Sequence, residues 1–279
     1  MSSLSSRAIA ALTALLLWAV LGSAALAQDA RASLSASSTI EEIKKRGTLM
    51  VGLATFVPWA MRSKTGDLIG YEVDVSKKLA EDMSVKVEFV PTAWDGIIPA
   101  LLAGKFDFII GGMTITPARN LTVNFTSPYS ATGVHIAANK KLAAGFSKLE
   151  DFNKADVTLV ARRGSSAAAT AQRYFPKATL RQFDDDAQSI LEVVNGRAHA
   201  LVATVPRPAF AVLDNPDTLF LPFADPIVKQ ADAMVVRKGD PDALNFLNNW
   251  IMLKSLDGWL EERQAYWFKG RDWRDQVAQ

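Results

Sequence analysis

The chain has no cysteine among its 279 residues. That excludes disulfides, thiolate metal ligands and cysteine nucleophiles, so stability must come from a packed core. Histidine is nearly absent too. His135 and His199 stand far apart and show no metal-ligand spacing. No metal and no cofactor are expected. Neither sign of charge dominates: 31 basic and 29 acidic residues leave a formal +2, with the signs interspersed. This pattern argues against a nucleic-acid surface or an anionic-membrane surface. Beyond the first 27 residues, no stretch is long and apolar enough to span a bilayer.

Those first residues read as an export signal. Arg7 supplies the positive start, Ala8 to Leu21 is an apolar run, and Ala25-Leu26-Ala27 fits a cleavage site. Residues 1–27 are therefore predicted to be removed, and 28–38, rich in Ala and Ser, to form a mobile leader. No Cys is available to carry lipid at the new N-terminus. The expectation is a soluble monomer in the periplasm of a two-membrane bacterium.

What is present is an alternation of short apolar runs and amphipathic segments. Ser38 looks like an N-cap for a short helix, Thr48 to Leu53 like a strand, and Asp74 to Met83 like a helix. A strand (Val85 to Val90), a helix (Trp94 to Ala103, closed by Gly104) and a strand (Phe106 to Ile110) follow. The same rhythm returns between Val134 and Ala203. It predicts strands at 134–138, 157–161, 178–183 and 200–203, with helices at 149–152, 165–174 and 186–195. Ala233 to Val236 reads as another strand, and Pro241 to Trp267 as helical. Such alternation implies βαβ units and largely parallel sheets. The expected fold class is α/β with two lobes. Lobe 1 is predicted to be discontinuous, residues 39–131 and 229–279, and lobe 2 to comprise 132–228. Two crossing strands would then form a hinge with a cleft between the lobes.

The segment Gly111-Gly112-Met113-Thr114-Ile115-Thr116-Pro117-Ala118-Arg119 begins where the Phe106 to Ile110 strand is expected to end. It brings backbone N–H groups, two Thr hydroxyls and one Arg close together. A guanidinium can hold a carboxylate through two parallel hydrogen bonds, and neighbouring donors can take the remaining lone pairs.

Several further motifs occur in order: Gly70-Tyr71-Glu72-Val73-Asp74-Val75, Trp94-Asp95-Gly96-Ile97, Leu102-Ala103-Gly104-Lys105-Phe106-Asp107, Asn124-Phe125-Thr126-Ser127-Pro128-Tyr129, Arg163-Gly164-Ser165-Ser166 and Tyr266-Trp267-Phe268-Lys269-Gly270. Together, from about Ile40 to Gly270, they resemble the family 3 solute-binding proteins of amino-acid ABC transporters. The resemblance implies a type II periplasmic binding protein fold and a small-molecule carboxylate ligand held between the lobes. It also implies delivery to an ABC transporter permease in the inner membrane, with no chemistry of its own. By the same resemblance, Arg119 would bind the carboxylate, with Gly112 and Thr114 beside it. Ser165 and Ser166 would hold it from lobe 2, at a helix start whose free N–H groups favour an anion. Phe56 and Trp94 would sandwich the ligand side chain. Trp59 reads as lobe packing.

The chain departs from the pattern at Ala200-Leu201-Val202-Ala203-Thr204. Thr204 stands where the family usually carries an Asp that pairs with the ligand's α-ammonium. A buried ammonium without a counter-charge is costly. Arg162 and Arg163 precede the Gly-Ser-Ser loop, and Arg163 is taken as a ligand contact. The expectation is therefore an anionic solute with no required α-amine, and Thr204→Asp is expected to raise amino-acid affinity. Asp184-Asp185-Asp186 reads as a solvated turn with an N-cap. The competing enzymatic reading is a cyclohexadienyl dehydratase. Such relatives place a Glu where this chain has Ala168, so a catalytic acid is missing and a non-enzyme is expected.

Overall fold

The structure, a computed structural model, describes residues 38–278. The export signal and, apart from Ser38, the leader lie outside the described residues. In chain order the elements are α1 (Thr39–Arg46), β1 (Thr48–Leu53), β2 (Met61–Arg62), β3 (Leu68–Ile69), α2 (Tyr71–Asp82), β4 (Lys86–Pro91), α3 (Ile97–Leu102), β5 (Phe108–Thr114), α4 (Pro117–Asn120) and β6 (Asn124–Phe125). There follow β7 (Ser130–Asn139), α5 (Leu149–Phe152), β8 (Thr158–Arg162), α6 (Ser166–Tyr174), β9 (Thr179–Phe183), α7 (Asp186–Val194), β10 (Ala200–Thr204), α8 (Arg207–Asp214), β11 (Leu219–Phe220), β12 (Val228–Val236), α9 (Pro241–Leu256) and α10 (Trp259–Phe268).

Local chemistry sets the boundaries. Ser38 caps α1 by accepting from the Ile40 N–H, and Gly47 ends that helix in the left-handed region at φ 71°. In β1, Gly52 lies against Phe106: a Cβ there would sit 2.3 Å from the ring. The α2 face that packs on the sheet carries Val75, Leu79 and Ala80, all buried. Gly258, at φ 78°, separates α9 from α10, so the helical C-terminal stretch is two helices.

The strands pair in the order β4-β1-β5-β12-β7-β10-β8-β9, with β6 on β12 and β11 on β7. Two long antiparallel strands hold the arrangement together. Val228 to Asp232 of β12 pair with Ser130 to Val134 of β7. β12 then continues beside β5 and β6, while β7 continues beside β10. Each strand thus belongs to both halves of the molecule.

Two main cores lie on either side of this crossing. One gathers Ile43, Leu49, Tyr71, Phe108, Leu247 and Trp267. The other gathers Val134, Ile136, Phe152, Leu159, Phe175 and Val202. Phe210 of α8 is an exception, reaching from the second half to Trp273, with ring centroids 5.7 Å apart. Among the described residues no helix is long and apolar enough to cross a membrane.

Four features differ from the sequence expectation. β5 does not end at Ile110 but runs through Gly111, Gly112 and Met113 to Thr114, because β12 supplies it with a partner there. The loop after β1 contains the small β2–β3 hairpin. α8 and β11 follow β10. β12 begins at Val228 rather than Ala233.

Candidate functional site

The site is built where β5, α4 and the start of α6 converge. Thr116 caps α4 by accepting from the Arg119 N–H at 3.2 Å, and Pro117 fits the first helical position. This short turn sends the Arg119 side chain back over β5. Its Nη1 donates to the Thr114 carbonyl at 2.8 Å, and its Nη2 to the Gly164 carbonyl at 3.1 Å. The Trp94 Nε1–H donates to the same Gly164 carbonyl at 3.3 Å. Gly164, at φ 67°, provides the turn between β8 and α6 that presents this oxygen.

Ser165 is the N-cap of α6, accepting from the Ala168 N–H at 3.0 Å and donating to the Arg162 carbonyl at 2.7 Å. Ser166 faces the other lobe. Its hydroxyl lies 3.3 Å from Thr114 Oγ1 and donates to Gln230 Oε1 at 3.0 Å. Gly112 is left-handed, at φ 65°, and a Cβ there would come within 2.5 Å of the Trp59 ring. Trp59 is buried and stacks on Phe56 at 4.6 Å and against Phe268 at 4.8 Å.

Under Arg119 lies Asp232, which is fully buried. It accepts from the Thr114 hydroxyl at 2.8 Å and the Thr132 hydroxyl at 3.2 Å. Burial pushes its carboxyl up to about 7, against the opposing pull of those two bonds and of the Arg119 charge. Burial likewise lowers Arg119 to about 10, with Asp232 raising it and the neighbouring Arg162 lowering it further. Arg119 stays charged at neutral pH.

The two adjacent arginines separate. Arg163 is exposed, ion-paired with Asp184 at 3.2 Å and donating to the Gln182 carbonyl at 3.2 Å. Its predicted place as a ligand contact is not where its side chain lies, because the turn at the end of β8 directs it to solvent. Arg162 turns inward instead. It is 7% exposed, and its guanidinium carbon lies 4.2 Å from the Phe56 ring centre and 4.4 Å from that of Trp94.

Thr204, half-buried at the end of β10, shares a cavity of about 10 Å³ with Arg162, Ser165, Asp186, Phe56 and Trp59, room for about one water. Larger hollows exist, one of about 430 Å³ around Lys64, Arg207 and Arg271, but it does not include the Arg119 group.

Eight of the nine predicted site residues thus meet at the lobe junction: Phe56, Trp94, Gly112, Thr114, Arg119, Ser165, Ser166 and Thr204. Gln230 and Asp232 are not among the predicted site residues; they lie in the part of β12 that precedes the Ala233 to Val236 run. A lone Asp beside the apolar run Ala233 to Val236 was the available signal. In the sequence, Asp184 to Asp186 all read as solvated. Asp185 does cap α7, accepting from the Gln188 N–H at 2.7 Å, but Asp186 is buried at the cavity. The ensemble of guanidinium, hydroxyl and helix-start N–H groups is suited to holding an anion.

The chain is similar to the L-cystine-binding protein TcyJ of Escherichia coli, 28% identical over 85% of this chain and 88% of that protein. It is also similar to the cyclohexadienyl dehydratase of Pseudomonas aeruginosa, 24% identical over 89% of this chain and 93% of the enzyme. Among solved structures, a putative ABC-transporter binding component from Wolinella succinogenes, complexed with lysine, superposes with a TM-score of 0.78. It is 38% identical, over 82% of this chain and 99% of that one. The two lobes are those of a type II periplasmic binding fold. Residues 49–270 match the model of the bacterial extracellular solute-binding proteins, family 3, and the chain belongs to that family.

Proposed function

We propose that this protein is the exported substrate-binding component of an ABC transporter. It captures a small carboxylate-bearing solute, an amino acid or a related organic acid, and delivers it to a membrane permease. Residues 39–131 and 229–279 form one lobe and 132–228 the other, each functioning as a jaw. The protein works as a periplasmic monomer after removal of residues 1–27.

The observation that supports this reading best is the position of Arg119. Its two terminal nitrogens lie on carbonyls from opposite sides of the cleft, Thr114 and Gly164. A carboxylate arriving there would exchange two neutral acceptors for a bidentate charged one. The Thr114 and Ser166 hydroxyls and the α6 N–H groups would complete its shell. Contact with both lobes would favour closure, a hinge motion described for periplasmic binding proteins as a class. The proposed contact set is Phe56, Trp94, Gly112, Thr114, Arg119, Ser165, Ser166 and Thr204, with Arg162 in place of Arg163.

The enzymatic alternative has less support. The α6 segment following the Gly-Ser-Ser loop offers Ala167, Ala168 and Ala169 and no acid. The buried carboxyls of Asp232 and Glu72 are each engaged inward, Asp232 with two threonines and Glu72 with the Tyr129 hydroxyl at 2.6 Å.

Refolded protein, stripped of carried-over solute, should be screened by thermal shift against amino acids, mono- and dicarboxylates, keto acids and aromatic acids. Stabilisation must follow concentration over affinity. The expected result is a shift with at least one carboxylate that disappears in Arg119→Met. No shift with any acid, or one that survives the substitution, would refute the reading.

A further inference from the structure

The space between Phe56 and Trp94 is taken by the protein's own Arg162. The two rings lie 5.9 Å apart at 69°, with the guanidinium against both. Aromatic faces hold a guanidinium by its plane and leave its edge nitrogens for in-plane acceptors. Yet the Arg162 Nε has no hydrogen-bond partner among the described residues. Asp186 and Asp185 reach it only through space, and they also serve a second buried guanidinium, Arg207. A charge removed from water this completely ordinarily requires a partner.

Arg119 stands close by. Its guanidinium carbon lies 5.7 Å from the same Trp94 ring, so the two cations can be no farther apart than the sum of their distances to that ring. Thr204 borders the same cavity and brings no negative charge to it. An acid at that position would neutralise Arg162. A threonine does not, and Asp186, which lines the same cavity, makes no hydrogen bond to the guanidinium, so its edge nitrogens stay open to a ligand.

We propose that Arg162 receives a second acidic group of the ligand, so that the cleft selects short dicarboxylates over cationic amino acids. One carboxylate sits on Arg119, which rests on the functional reading above, and the other on the free edge of Arg162. Parting of the lobes about the β7–β12 crossing provides the volume. Phe56 and Trp94 then orient a protein cation and do not clasp a ligand cation.

The test is calorimetric titration of stripped wild-type protein, Arg162→Ala, Arg162→Lys and Arg119→Met. The probes are succinate, glutarate, butyrate, arginine and lysine. Wild-type protein should bind succinate or glutarate at least about tenfold more tightly than butyrate, as expected for an added charge-assisted contact. Arg162→Ala should erase that preference and admit arginine or lysine between the vacated rings. Arg162→Lys should recover part of the preference, which guards against a folding artefact. Wild-type preference for arginine or lysine, or a dicarboxylate preference that survives Arg162→Ala, would overturn the proposal while leaving Arg119-dependent binding intact. Loss of the carboxylate reading itself would appear differently, as acid binding unaffected by Arg119→Met or as no acid binding at all, and would overturn this proposal with it.

Discussion

The Thr114 hydroxyl donates to Asp232 at 2.8 Å, joining the last residue of β5 to a strand shared by both lobes. The other Asp232 oxygen accepts from Thr132 of β7. One buried carboxyl therefore gathers three strands, near enough to Arg119 for the two charges to act on each other. Any parting of the lobes about β7 and β12 pivots close to it.

This carboxyl predicts a pH dependence of stability. Burial raises Asp232 from an ordinary 3.8 to about 7, and Glu72 from 4.5 to about 8. The folded chain therefore holds protons that the unfolded chain releases. Stability from these groups is fully present at pH values below the unfolded pKa and is lost as pH rises through the folded values. The melting temperature should fall between pH 5 and pH 8, and less steeply in Asp232→Asn. Equal slopes in the two proteins would show that Asp232 does not titrate in this window.

A second prediction sets packing against charge where the C-terminal segment meets α8. Asp214 receives Arg271 at 2.5 Å and Arg274 at 2.6 Å, all partly exposed. Beside them, Trp273 is buried between Phe210 and Trp267. Exposed ion pairs contribute about 1 kcal/mol or less, whereas emptying a buried tryptophan site costs about 3–5 kcal/mol. Urea unfolding should show Asp214→Asn close to wild type and Trp273→Ala strongly destabilised. The reverse order would mean that charge holds this junction.

Gly112 offers a third test. It lies at φ 65°, and an added Cβ would press on the Trp59 ring at 2.5 Å. Left-handed strain and overpacking each cost about 1–3 kcal/mol. Gly112→Ala should therefore lose about 2–6 kcal/mol by chemical denaturation, whereas Gly66→Ala, also left-handed but with no atom within 4 Å of an added Cβ, should lose less. A similar loss in both would leave the Trp59 contact without energetic weight.

Much of this was legible in the sequence, for local reasons. Thr48–Leu53 is a strand at its expected bounds because an apolar run between Gly47 and a loop has few alternatives. The Ser38 and Asp185 caps follow from side chains that bond the first free N–H groups. What escaped depends on partners distant in sequence. β5 extends through Gly111 and Gly112 because β12 lies alongside, and Gly-Gly alone reads as a strand end. Arg162 and Arg163 are chemically equal in a sequence, and only the direction of β8 and the position of two aromatic rings send one inward. Gln230 and Asp232 joined the site for a related reason: a hinge strand pairing with two lobes has no periodicity of its own.

The final prediction concerns Thr204. From sequence alone, Thr204→Asp is expected to create a counter-charge for an α-ammonium and so raise amino-acid affinity. The structure adds a competitor. Position 204 and Arg162 line one small cavity, and a buried carboxylate next to a buried guanidinium favours the internal pair over either ligand group. Thr204→Asp should thus weaken any dicarboxylate binding by about tenfold, the loss of one charge-assisted contact, with little gain for amino acids. The double variant Thr204→Asp with Arg162→Ala removes the internal partner and leaves the new carboxylate open to an ammonium, so amino-acid affinity should rise only there. Calorimetry on the two variants distinguishes the cases. If the single substitution suffices to bind an α-amino acid tightly, Arg162 does not hold the new carboxylate, and the cavity adapts more freely than its packing implies.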